Sequence, residues 1–152
     1  MIDIPPEELL PHRGNMILVK GIECADTDNG RSASLAYLDE SCLFYDKARG
    51  GVPTEISIEI MAQGVGLLSG YRDYLQQKSR PGSAMLLSIK HYEVYCDIIP
   101  IHTLLRTTNE AIMEELPFGS YNCNLRREDD NTLLAKTEIT VYNPHAHALH
   151  NS

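Results

Sequence analysis

Residues 54–78 hold the longest apolar run of the chain. Ile56, Ile58, Ile60, Met61, Ala62, Val65, Leu67 and Leu68 point in nearly every direction around a helix. Such a helix is buried on most of its sides. Thr54 follows Pro53 as a natural N-cap, and Glu55 sits well in the first turn. Polar character returns only at 71–78, and Arg80-Pro81-Gly82 ends the helix. Ahead of it, 16–24 and 32–38 read as strands joined by the turn signal Asp26-Thr27-Asp28-Asn29-Gly30. Pro5-Pro6-Glu7-Glu8 suits a short helical turn. After it, 84–96, 103–116, 120–127 and 133–142 read as four more strands, broken at Ile99-Pro100, Pro117-Phe118-Gly119 and Asp129-Asp130-Asn131. The last alternates well: Leu133, Ala135, Thr137, Ile139 and Val141 fall on one face. Residues 39–53 have weak periodicity and read as a loop of functional length.

The order is two strands, one long helix, then four strands. A helix apolar all round must be enclosed, and an antiparallel sheet of about six strands wrapped around it does so economically. This α+β arrangement is the hot-dog fold. A single domain over 1–143 with a polar tail over 144–152 fits the length of 152 residues.

The formal net charge of −8 argues against nucleic acid or an anionic membrane surface as the main partner. Cys24, Cys42, Cys96 and Cys123 show no paired or zinc-site spacing, and read as thiols packed in or near the core. No metal and no cofactor is expected. The N-terminus lacks the basic and apolar segments of a signal peptide, and no stretch approaches the ~20 apolar residues needed to span a bilayer. The cytoplasm is the expected compartment.

Glu59 stands out because it interrupts the apolar helix between Ile58 and Ile60-Met61. A buried carboxylate is paired, protonated or functional. Gln63 lies one turn on, and Gly66 and Gly70 continue the same face. This stripe suits one polar group beside a close-lying backbone or a thin ligand. It equally suits a capped glutamate with glycines serving only packing.

Pro11-His12-Arg13 followed by Met16-Ile17-Leu18-Val19 resembles the "P-H-R…L-L-V" opening of the β-hydroxyacyl-acyl-carrier-protein dehydratases. Glu59-Ile60-Met61-Ala62-Gln63 resembles their helix signature "E-x-M-A-Q". The spacing, Pro81-Gly82 and the run of four strands also fit, so the resemblance covers nearly the whole chain to Asn143. The chain departs from the family at the "G-H-F-P-G-x-P-x-x-P-G" loop, whose histidine is the catalytic base. Counting back from Glu59 puts Tyr45 at that position, and only Gly50, Gly51 and Pro53 keep the flavour of the loop. The chain is similar to the divergent hot-dog dehydratases found with aryl polyene-type polyketide systems.

The resemblance implies dehydration of a 3-hydroxyacyl thioester at a dimer interface. Histidine is the usual base for the α-proton, a helix carboxyl handles the hydroxyl, and a backbone amide polarises the thioester carbonyl. On this reading Glu59 supplies the carboxyl, Gly50 or Gly51 the amide, and Gln63 and Pro53 line the substrate. Tyr45, a phenol of ordinary pKa near 10, is a poor base and suits a pocket wall better. The implied partners are an acyl carrier protein or acyl-CoA thioester and a second hot-dog subunit. In a homodimer the partner is this chain; in a heterodimer it is a subunit that keeps the histidine. Two alternatives stay open, a thioesterase using Glu59 on water and a non-catalytic acyl-binding subunit. His12 reads as structural, His91 as a satisfied strand residue, and His145, His147 and His150 as part of a solvated tail. Arg72, Lys78 and Arg80, or Arg126 and Arg127, are the candidate docking cations for an acidic carrier.

Overall fold

The computed structural model describes residues 1–76 and 84–143. Lys78, Arg80, Pro81, Gly82 and the three tail histidines lie outside the described residues. Six strands form one antiparallel sheet in the order β1-β2-β4-β5-β6-β3. They are β1 (Val19–Asp26), β2 (Arg31–Tyr37), β3 (Met85–Val94), β4 (Leu104–Glu115), β5 (Phe118–Arg127) and β6 (Leu133–Tyr142). The long helix of the described residues, α1 (Ile56–Leu75), packs on the inner face of β1, β2, β4 and β5. This is the hot-dog fold.

The alternation of the strands decides the core. Leu105, Thr107 and Asn109 of β4 face the helix, while the alternate residues Arg106, Thr108 and Glu110 face outward. Ile60, Met61, Val65, Leu67 and Leu68 of α1 meet Ile22, Ala36, Leu125 and Ile139 in one cluster. Each of the large aliphatic side chains among them is worth ~1.5–3 kcal/mol on full burial.

The first strand starts three residues later than its apolar pattern predicts. Residues Gly14–Met16 instead form a short 3-10 turn. The Gln63 side chain bonds the Met16 carbonyl and the Leu18 amide, and the amides of Met16 and Ile17 donate within the turn, so this stretch needs no strand partner.

The cysteines also differ from expectation. Cys123 is buried, Cys42 and Cys96 are half-buried, but Cys24 is exposed. The register of β1 shifts between Ile22 and Cys24, and a bulge there turns the following side chains over. Burial pushes the Cys123 thiol up to about 12, which makes it inert.

The helix is not covered on every side. Ile58, Glu59, Ala62, Gly66 and Ser69 are only half-buried and form a stripe at helical spacing. The glycines on and beside this stripe serve close packing of the N-terminal segment. A Cβ on Gly66 would press on Leu10, and one on Gly70 would overlap the Leu9 backbone.

Candidate active site

Three elements bring the site together. α1 carries Glu59 and Gln63 one turn apart. After the Pro6–Glu8 turn, Leu9 and Leu10 pack on Gly70 and Gly66 and carry the chain on to His12. Arg13 then folds back, its guanidinium donating to the carbonyls of Leu10 (3.0 Å) and His12 (2.8 Å). This holds the Pro11-His12-Arg13 corner beside the helix.

Gln63 is 1% exposed and makes three hydrogen bonds. Its Oε1 accepts from the Leu18 amide at 2.8 Å, and its Nε2 donates to the Met16 carbonyl at 2.6 Å and to Glu59 Oε1 at 3.0 Å. A buried amide with every bond made is a rigid support. His12 Nε2 approaches the same Glu59 oxygen at 3.4 Å, slightly long for a direct hydrogen bond. Glu59 Oε2 takes no hydrogen bond from the described residues, and the Glu59 side chain is 38% exposed. The carboxyl is therefore less buried than its place in an apolar helix predicts. The helix rotates it onto the half-open stripe, away from the sheet.

The other predicted residues make no hydrogen bond or ion pair with this cluster. Tyr45 is half-buried in a turn, where its amide donates to the Cys42 carbonyl at 3.0 Å, and it makes no hydrogen bond or ion pair with Glu59. The amides of Gly50 and Gly51 both donate to the Asp46 carbonyl, at 2.8 and 3.4 Å. Within this chain both are thus occupied inside the loop. Gly50 has φ +72°, which favours glycine, and a Cβ on Gly51 would overlap the side chain of Ile98. Pro53 ends the loop, its carbonyl accepting the first helical amide, Ile56 N–H, at 3.1 Å.

His12 is the residue that sequence reading underrated. It lies 47 positions before Glu59, and only the packing of Leu9 and Leu10 on the helix glycines brings the two together. The remaining described histidines are elsewhere. His91 is exposed at a bulge of β3, with φ +54°, so that the next residue, Tyr92, turns inward. The Tyr92 hydroxyl donates to the Thr54 carbonyl at 2.9 Å and meets Ser57 Oγ at 2.8 Å, pinning the helix start. His102 lies between Glu40 and Tyr37 on the surface.

The candidate docking cations among the described residues, Arg72, Arg126 and Arg127, are in use. Arg72 binds Glu114 and the Thr27 carbonyl, Arg126 donates to the Asn131 carbonyl, and Arg127 pairs with Asp129. Among the described residues, no group of three His, Cys, Asp or Glu side chains could hold a metal ion. No helix of the described residues is long and apolar enough to cross a membrane.

A six-stranded antiparallel sheet on one long helix, with a supported carboxyl on the open helix stripe, defines a hot-dog protein of the dehydratase-like kind. The chain belongs to the ApeP-like family, described as ApeP dehydratase, whose model matches residues 4–151. Among solved structures it is similar to a chain of the dehydratase heterocomplex ApeI:P from Xenorhabdus doucetiae. That match has 21% identity and a TM-score of 0.83, and covers 93% of this chain and 91% of that one. It is also similar in fold to a hypothetical thioesterase protein with coenzyme A from Streptococcus pneumoniae TIGR4. There the identity is 12% and the TM-score 0.62, over 84% of this chain and 87% of that one. The PaaI protein of the E. coli phenylacetic acid degradation operon matches at 7% identity and TM-score 0.60, over 81% and 82%. No curated protein sequence matches.

Proposed function

We propose that this chain supplies the helix carboxyl of a two-subunit dehydratase acting on 3-hydroxyacyl thioesters in polyene biosynthesis. Glu59 delivers a proton to the leaving hydroxyl, and a second hot-dog subunit supplies the histidine that takes the α-proton. The observation that carries this reading is the asymmetry of the site. Glu59 has a free oxygen on an open stripe, yet no described histidine of this chain is placed to act as the base beside it. His12 has Nε2 directed at Glu59 and Nδ1 buried without a partner, so neither nitrogen faces an incoming substrate.

A second feature supports a partner subunit. β3 is an edge strand that exposes Met85, Leu86, Leu87 and Ile89, with relative exposures of 37–53%. Unprotected apolar edges invite pairing with another chain. The fold similarity to the heterocomplex ApeI:P agrees with a second hot-dog subunit rather than an unrelated protein. The substrate carrier on this reading is an acyl carrier protein or coenzyme A.

The chain is to be purified alone and mixed with a hot-dog subunit that keeps the catalytic histidine, and each sample, the partner alone included, assayed on a 3-hydroxyacyl thioester. The mixture is expected to dehydrate and this chain alone is not. Equal activity of the partner alone and of the mixture contradicts the reading, as does full activity of this chain alone. One observation favours a thioesterase instead: a half-exposed carboxyl can activate water without any histidine. Release of free acid, with no enoyl product, would establish that alternative.

A further inference from the structure

The donors around Glu59 distinguish its two oxygens. The Gln63 amide has only one possible orientation, because the Met16 carbonyl can only accept and the Leu18 amide can only donate. Nε2 of Gln63 therefore meets Glu59 Oε1 as a donor at 3.0 Å. His12 Nε2 faces that same oxygen at 3.4 Å. The second ring nitrogen, Nδ1, is buried and has no hydrogen-bond partner. A proton on Nδ1 would make it a buried donor without an acceptor, and would turn a bare Nε2 lone pair toward the carboxylate. Both effects favour the tautomer with its proton on Nε2. Arg13, the neighbouring cation, is turned onto the backbone carbonyls of Leu10 and His12.

We propose that His12 is a positioning residue which, together with Gln63, holds Oε1 of Glu59 and leaves Oε2 as the oxygen that carries and delivers the proton. This rests on Glu59 being the acid of the dehydration. In that step the partner's base takes the Cα proton, and the Cα–H electron pair becomes the new carbon–carbon double bond. The C3–O bond breaks with its electrons on oxygen, and the proton on Oε2 completes the departing water. Oε1 keeps the Gln63 hydrogen bond and the facing His12 ring throughout, so the carboxyl does not rotate between turnovers. The Leu9–Leu10 packing on Gly66 and Gly70 then has a purpose beyond stability, since it sets the distance between His12 and the acid.

The test uses the complex of this chain with its partner subunit and a 3-hydroxybutyryl pantetheine thioester. His12→Phe keeps a ring but no donor; His12→Gln places an amide N–H near the Nε2 position. His12→Phe is expected to lower kcat about tenfold or more with KM within about twofold, the signature of a contact that matters mainly in the transition state. His12→Gln is expected to recover most of that loss. In the unmodified complex, 15N spectra of the His12 ring are expected to show a protonated Nε2 and a bare Nδ1. Unchanged kcat in His12→Phe overturns the proposal, as does a protonated Nδ1 with a bare Nε2. If His12→Phe fails to assemble, the ring spectra decide. Glu59→Gln is run beside these. Full activity there sinks the reading of Glu59 itself, whereas loss there with normal His12→Phe sinks only the role of His12.

Discussion

Two carboxyls are held by this helix, and they are held differently. Glu114 of β4 meets Arg72 near the end of α1 and has both oxygens occupied. Arg72 binds Oε2 at 2.5 Å and Oε1 at 3.0 Å, and the Tyr121 hydroxyl donates to Oε2 at 2.5 Å. Burial alone would raise the Glu114 carboxyl, but the hydrogen bonds from Arg72 and Tyr121 outweigh it and hold the group below the usual carboxylate range. Glu59, four turns earlier on the helix, has one oxygen served by Gln63 and approached by His12, and one left open. A saturated carboxylate is a fastening. A carboxylate with one pinned and one free oxygen, on a half-open stripe, is arranged to exchange a proton.

The largest test of this contrast is at the two acids. Glu59→Gln keeps the shape and the Gln63 contact, and is expected to cost the assembled complex about 10²- to 10⁴-fold in dehydration rate. Its unfolding midpoint in urea is expected to stay close to the parent. Glu114→Gln is expected to do the opposite. It leaves Arg72 facing a neutral amide in a half-buried place, at about 3 kcal/mol of stability by urea melts. Dehydration by whatever remains folded is expected to persist.

Gly70→Ala probes the link between the fastening and the site. The added methyl overlaps the Leu9 backbone, so the N-terminal segment must shift at about 1–3 kcal/mol. Because that segment carries His12, kcat is expected to fall in the folded fraction, measured by dehydration per assembled complex. Unchanged kcat would separate the packing of Leu9 from the geometry of Glu59.

The smallest effect is in the acid limb of stability. Glu114 has a folded value below its ordinary value of 4.5, so its contribution is present above that pH. It is lost as pH falls through the lower folded value. Stability curves of the parent and Glu114→Gln are expected to converge once the pH falls below that lowered folded value. Divergence there would mean that Arg72 and Tyr121 do not hold the charged form.

The sequence disclosed the frame better than the site. The strict alternation of β6 placed its bounds, and the run of isoleucines and leucines placed α1, because a period of two or of 3.6 survives any tertiary context. The start of β1 was not legible, since the backbone at 16–18 is bonded by a glutamine 45 or more residues away. Nor was the exposure of Cys24, because a bulge leaves no mark in an apolar pattern. Glu59 and Gln63 were found from one helical turn of spacing. The His12 contact was hidden, because it depends on the close approach of the Leu9 backbone to Gly70, which no periodicity encodes.

The most direct measurement is a titration of this chain into a fixed amount of its hot-dog partner, following enoyl product from a 3-hydroxyacyl thioester. The rate is expected to rise from near zero and level off at one chain per partner, and to stay flat when the added chain carries Glu59→Gln. A rate already maximal before any addition, or an equal rise with the Glu59→Gln chain, would contradict the account that this protein lends its helix carboxyl to a shared site.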